Sequence, residues 1–563
     1  MTHPGEQFYP KGVRWDDPIE RGTLPDLLAH AVRQFGARPA IEFRDRTISF
    51  SELEALADVA ASAFLRAGFG SGTTVALFLG NSPDHPINFF GALKAGSRIA
   101  HLSPLDGMRA LSHKLSDSGA RILVTSNLAS LLPTALKFLE SGLIDRLVVC
   151  EDDHWGVAGN PHAPIPDHPA IVTFAKFTEG ATRPAQWPAI SADDIALLQY
   201  TGGTTGLPKG AMLSHGNLTS AVSIYEVWGR PARLDRDERV ICVLPLFHIY
   251  ALTVVMLSCL RLGKLISLHQ RFDVEAVMRD IEVKRATAFP GVPTMWIAIA
   301  SLPDLDKRDF SSLVQAGSGG APLPVEVAKI FERKTNMKLK SGWGMTETCS
   351  PGTGHPQQGP DKPGSIGLML PGIEMDVVAL DDPNKVLSPG EVGEIRIRGP
   401  NVTRGYWGRP QETAQAFVGG RFLTGDIGYM DEDGYFFLVD RKKDMIISGG
   451  FNVYPQMIEQ AIYEHPAVQE VIVIGIPDAY RGEAAKAFIK LRPGSAAFSL
   501  DELKAFLAGK LGRHEIPAAL AFVDDLPRTP VGKLSRHELR SQQANSRPAP
   551  ETPQQQLATG GRP

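Results

Sequence analysis

Four cysteines in 563 residues, none in CxxC or CxxH spacing, exclude a disulfide framework and a thiolate zinc motif, and suit a reducing compartment. The opening residues MTHPGEQFYPKG lack the apolar core of a secretory signal. The longest apolar stretch, Ala251 to Leu260, stops at Arg261 and is too short to span a bilayer. A cytoplasmic protein without a transmembrane segment is expected, touching a membrane surface only if its substrate is a lipid. No Lys/Arg stripe appears and the formal net charge is only -4, so no nucleic-acid partner is expected. What is present is ordinary for a globular chain, 43% hydrophobic and 21% charged residues, with enough length for a large domain and a smaller one.

From about Thr23 to Ser318, short β-branched or leucine-rich runs alternate with amphipathic segments, the pattern of an α/β domain with covered sheets. Ser51 and Glu54 read as a capping box ahead of a helix whose stripe is Leu53, Leu56, Ala60 and Phe64. Val75 to Leu79 reads as a buried strand and Pro86 to Ala95 as a helix ended by Gly96. Further strands are expected at 195–200, 239–244, 264–268, 286–289 and 313–316, with connections long enough for parallel crossovers. After Gly364, glycine-punctuated short strands suggest a β-rich portion that closes the large domain. The connection DRKKD followed by SGGFNVYP offers a backbone free to change direction. Beyond it, strands near 471–476 and 487–491 and a helix capped by Ser499 and Glu502, running to about Leu511, form a small α+β domain. The expected domains are thus 1–440, 441–545 and a Pro/Gln-rich tail, 546–563, unable to bury enough apolar surface to order itself. No internal repeat is found.

The strand at 195–200 runs into Thr201-Gly202-Gly203-Thr204-Thr205-Gly206-Leu207-Pro208-Lys209-Gly210. Glycines let backbone N–H groups approach an anion, threonine hydroxyls donate to phosphoryl oxygens and Lys209 brings a mobile charge, so a nucleotide is implied. A Walker A loop is excluded because Lys209 follows proline, and Gly532-Lys533 continues with leucine. A plain surface linker would not place so many donors behind a buried strand.

YTGGTTGLPKGAMLSH closely resembles the signature loop of the acyl-adenylate-forming ANL superfamily of acyl-CoA synthetases, adenylation domains and luciferases. Matching motifs follow in the family's order from the helix near Ser51 to Lys533, and the chain is most similar to bacterial medium- and long-chain fatty-acyl or dicarboxylate CoA ligases. The resemblance implies a large N-terminal multi-sheet adenylate-forming domain, a smaller mobile C-terminal domain, and ATP, Mg²⁺ and coenzyme A as reactants. It also assigns roles. In Ser341-Gly342-Trp343-Gly344-Met345-Thr346-Glu347, Trp343 would cover the adenine, Thr346 would contact the α-phosphate and Glu347 would hold Mg²⁺, a hard cation that prefers oxygen. The family usually has tyrosine where Trp343 stands, so the stacking surface is kept and a hydroxyl lost. Gly319, Gly320 and Ala321, within GSGGAP, would lie beside the adenine and acyl pocket. Asp426, in Thr424-Gly425-Asp426, would take both ribose hydroxyls, and Arg441 would join the nucleotide site. His248, in LPLFH, would line the acyl and pantetheine passage; a carboxylate already ionised at neutral pH needs no base there.

Lys533, in PRTPVGK, would stabilise charge building on the α-phosphate and the leaving pyrophosphate. At about 4 Å and an effective dielectric near 20 that attraction is roughly 4 kcal/mol, at most about three powers of ten in rate. The resemblance further implies that the small domain swings about Lys443, and that Gly449 and Gly450 then line the route of the pantetheine thiol. Acetylation of Lys533 by a lysine acetyltransferase would cancel the charge adenylation needs. The expected reaction is carboxylic acid, ATP and CoA to acyl-CoA, AMP and pyrophosphate. The rivals are an enzyme loading a carrier protein, a luciferase-like oxygenase and a non-catalytic scaffold. Sequence leaves open the acid, its chain length, a second carboxylate and the oligomeric state.

Overall fold

The computed structural model describes residues 3–201, 207–357, 359–360, 362–529 and 532–545. Gly202, Gly203, Thr204, Thr205 and Gly206 of the phosphate-type loop, and the tail 546–563, lie outside the described residues. The chain divides into two compact units, Met1–Met445 with Pro530–Lys533, and Ile446–Thr529 with Leu534–Pro563.

The first unit is built on two large sheets. A seven-stranded sheet runs Ile171–Thr173, Arg146–Cys150, Ile122–Ser126, Thr74–Leu77, Arg98–His101, Ile195–Thr201 and Lys209–Ser214. All neighbours are parallel except the last pair, an antiparallel hairpin that sets Thr201 opposite Lys209. Its middle strands, Thr74–Leu77 and Ile122–Ser126, are buried at every position, which is why they read as continuous apolar runs rather than alternating ones. The second sheet has fourteen strands and changes character midway. From Pro39–Phe43 through Leu265–Leu268, Arg239–Cys242, Ala288–Gly291, Gln315–Ser318 and Lys340–Trp343 the pairs are parallel. Beyond Trp343 they are antiparallel, and the pairing of Arg421–Met430 with Tyr435–Arg441 sets Asp426 directly opposite Arg441. The change of pairing at Trp343 brings the end of a parallel strand beside this cross-strand pair.

Local expectations are refined in two places. The helix Phe50–Arg66 is capped by Ser49, not Ser51: Ser49 has the extended backbone of a cap, and its hydroxyl accepts from the Glu52 N–H. The expected stripe holds, with Leu53, Ala60 and Phe64 buried. The apolar stretch after His248 opens as a π-helical turn, Ala251–Leu257, and continues as a short α-helix, Ser258–Leu262. Among the described residues no helix is long and apolar enough to cross a membrane.

The second unit is a five-stranded sheet with helices. A hairpin, Ile446–Ser448 with Phe451–Val453, turns on Gly449 and Gly450, and the long antiparallel pair Val468–Asp478 and Gly482–Leu491 receives Ala519–Phe522 in parallel. Ser499 and Glu502 do form a capping box, on a helix Leu500–Leu507 that ends earlier than the expected Leu511.

Candidate active site

Between strand Lys340–Trp343 and the turn Thr346–Thr348 the backbone is cramped: a Cβ on Gly344 would lie 1.3 Å from the Ser350 carbonyl oxygen. Only glycine fits there, and the chain then passes through left-handed Cys349 and Ser350. This tight path places Trp343, Thr346 and Glu347 together.

Glu347 is buried, and its carboxyl is pushed up by desolvation, opposed by a hydrogen bond from Tyr406 and by the Arg441 charge. The Tyr406 hydroxyl donates to Glu347 Oε1 at 2.8 Å, and Lys209 Nζ stands 5.4 Å from the centre of the Tyr406 ring. Tyr406 therefore joins the carboxylate expected to hold a metal to the lysine of the phosphate-type loop. No motif singled it out; it lies 59 residues from Glu347, and only the tertiary fold brings the two into contact.

Asp426 is 0% exposed. The Trp343 indole N–H donates to its Oδ2 at 2.7 Å, and Arg441 Nε lies 2.5 Å from its Oδ1, an ion pair across the two strands. That pairing raises Arg441 above the usual arginine range. Trp343, expected as a stacking surface, is thus also a donor, buried beside Gly352, where a Cβ would come within 2.4 Å of its ring.

Lys533 passes over Gly320. A Cβ on Gly320, whose φ is +80°, would meet Lys533 Cε at 2.6 Å and Nζ at 2.9 Å. Desolvation and the Arg441 charge lower Lys533 to about 8, against the pull of Asp426. The Thr294 hydroxyl donates to the Gly532 carbonyl at 2.8 Å, steadying this segment. His248 is lowered to about 3 by desolvation and by Lys533, so it is neutral at pH 7. Gly319 lets the Tyr250 ring approach: a Cβ would lie 2.8 Å from it. Ala321 follows in the same bend, half-buried.

Two amides that no motif marked hold the loop carrying His248. Asn81 accepts from the Leu246 N–H at 2.8 Å and donates to the Leu244 and His269 carbonyls, each at 3.0 Å. Gln199 donates to the Phe247 carbonyl at 2.9 Å. Thr201, Lys209, Gly319, Gly320, Ala321, Trp343, Gly344, Thr346, Glu347, Asp426, Arg441, His248 and Lys533 all belong to the first unit. Lys443 is exposed in the turn that follows strand Tyr435–Arg441. Gly449 and Gly450 belong to the second unit, exposed at the hairpin turn with φ of +59° and +83°. A Cβ on either would meet nothing within 4 Å, so here left-handed backbone, not crowding, calls for glycine.

The donor set fits a nucleotide and a hard cation. Glu347 is a buried carboxylate incompletely compensated by protein, a state that a divalent ion relieves. Residues 28–407 match the AMP-binding enzyme family, and residues 457–533 match its C-terminal domain. The chain belongs to the AMP-binding enzyme family. Among relatives within it, a long-chain-fatty-acid–CoA ligase of Bacillus subtilis (strain 168) is 36% identical over 535 residues, 92% of this chain and 94% of that one. A feruloyl-CoA synthase of Amycolatopsis sp is 36% identical over 499 residues, 87% of this chain and 92% of its own. The crystal structure of ATP-bound MatB from Rhodopseudomonas palustris superposes with a TM-score of 0.82 at 30% identity, covering 92% and 98% of the two chains.

Proposed function

We propose that this family member is an AMP-forming acyl-CoA synthetase whose acid is a medium- or long-chain fatty acid. The observation that carries the reading is the cluster of Glu347, Asp426, Arg441 and Lys533 around the end of strand Lys340–Trp343, in a chain that spans nearly the whole length of the CoA ligases it matches. ATP, Mg²⁺ and CoA are its reactants.

In the first half-reaction a carboxylate oxygen of the acid attacks the α-phosphorus of ATP and the bond to the β-phosphate oxygen breaks, giving acyl-adenylate and pyrophosphate. Asp426 accepts the ribose hydroxyls, Trp343 covers the adenine, Thr346 meets the α-phosphate, and the loop of Thr201 and Lys209 holds the outer phosphates. Lys533 places its ammonium where negative charge grows, which stabilises the transition state more than the ground state. Glu347 would hold Mg²⁺, which when bound supplies Lewis-acid charge to the phosphoryl oxygens. In the second half-reaction the CoA thiol loses its proton to solvent, its sulfur attacks the acyl carbonyl carbon and AMP leaves with the bonding electrons. His248, neutral at this pH, lines the passage without adding charge. For that step we assign Lys443 as the hinge of the smaller domain, and Gly449 and Gly450 to the thiol's route. We also place the enzyme in the cytoplasm, with Lys533 as a target for a lysine acetyltransferase.

The acid's class is inferred from the segment around His248. Residues 240–257 carry no Lys or Arg, and Leu246, Ile249, Leu252 and Val255 are buried. A second carboxylate buried among these side chains would find no cation within the segment, an expensive arrangement, whereas an alkyl tail gains from it. The name of the Bacillus subtilis relative supports the same choice. Chain-length and ω-carboxyl profiling by pyrophosphate release tests it: turnover should favour monocarboxylates of medium to long chain, and preference for dicarboxylates or short acids would reverse the assignment.

A further inference from the structure

We propose that Trp343 is a positioning residue for the nucleotide's ribose: its indole N–H fixes the Asp426 carboxylate so that one acceptor site on each oxygen faces the two vicinal hydroxyls. This rests on the ATP reading above.

A carboxylate offers about four lone-pair sites, two per oxygen. The indole takes one on Oδ2, at 2.7 Å, whereas Oδ1 has no hydrogen-bond donor and faces the Arg441 guanidinium 2.5 Å away as an ion pair. Each oxygen then keeps an acceptor site, enough for a 2′- and a 3′-hydroxyl. Asp426 is 0% exposed, so its rotation is settled by the indole hydrogen bond and the Arg441 charge rather than by water.

The two partners differ in rigidity. Trp343 closes a buried strand, pairs in register with Thr353, and has its ring against Gly352, where no side chain larger than hydrogen fits. The Arg441 side chain is 42% exposed and ends the last strand before the turn that carries Lys443. The fixed partner is therefore the tryptophan, whose indole N–H is aimed at Oδ2.

The test is binding of ATP, 2′-deoxyATP and 3′-deoxyATP to the purified full chain by calorimetry, for the unaltered protein and Trp343→Phe. Loss of a hydrogen bond to a charged group predicts ATP weakened about tenfold. The deoxy nucleotides should be weakened much less, so that the preference for ribose shrinks. In a cycle with Asp426→Asn, the losses from the two single substitutions should be far from additive. If Trp343→Phe does not fold, Trp343→Leu, which keeps an apolar side chain without the indole N–H, carries the same prediction. Undiminished ribose preference in Trp343→Phe, while the unaltered chain binds ATP, overturns the assignment alone. An unaltered chain that binds no adenine nucleotide overturns the ATP reading along with it.

Discussion

Asp426 and Glu347 are both buried carboxylates near the end of one strand. Asp426 has an indole N–H on one oxygen and a guanidinium at the other, whereas the side-chain donor to Glu347 among the described residues is a single phenol. The charge at the sugar corner is thus met by Arg441, although Oδ1 has no hydrogen-bond donor, whereas the carboxylate at the metal corner takes a neutral phenol. Burial without full pairing is costly, so in the proposed reading Glu347 is kept for a cation and Asp426 for the ribose hydroxyls. Lys533, which feels Asp426 and Arg441, is the cation that the proposed mechanism places at the transition state.

The sharpest challenge to that division is Lys533→Ala. Acyl-adenylate formation should fall by up to about three powers of ten, while CoA transfer from a supplied acyl-adenylate stays within a few-fold. Pyrophosphate release and thioester formation measured separately check this, and equal loss in both would erase the distinction between the half-reactions. Next is Glu347→Gln, expected to slow adenylation about a hundredfold. Mg²⁺ with ATP should raise the melting temperature of the unaltered protein and do much less for the variant; an equal rise in both would remove Glu347 from the metal corner.

The pH profile follows in size. Lys533 is lowered from the ordinary lysine range to about 8, and in the proposed mechanism its protonated form is the active one. Adenylation kcat/KM should therefore be flat below that value and fall about tenfold per unit above it. Lys533→Arg, always charged, should move the alkaline limb upward; an unmoved limb assigns it to another group. The smallest effect is that of Tyr406→Phe, which removes one donor from Glu347. It should raise the Mg²⁺ concentration needed for half-maximal rate a few-fold, with the KM for acid unchanged.

The strand at 195–200 and the run from Trp343 to Glu347 were legible from residue order because each is locally continuous, while the roles of their residues came from the family resemblance. The alternation of strands and helices was legible for the same reason, since buried parallel strands are uniformly apolar. Ser49 and Ser51 are both competent caps by composition, and the choice falls to whichever leaves strand Arg46–Ser49 in extended backbone. Tyr406, Asn81 and Gln199 were not legible because their partners are distant in the chain; Asn81 Oδ1 meets a residue 165 positions away. The Trp343 bond to Asp426 joins two motif residues 83 positions apart, which sequence named separately but had no means of pairing. The π-helical turn after His248 was hidden because an apolar run does not reveal its hydrogen-bond register.

The account stands on ATP being cleaved between its α- and β-phosphates at the acid's expense. Isotope exchange between pyrophosphate and ATP tests this directly, with purified protein, Mg²⁺ and a fatty acid but no CoA. Exchange that depends on the acid, and AMP as the nucleotide product once CoA is added, is the predicted result. ADP and phosphate as products, or no exchange with any acid of a broad panel, would contradict it.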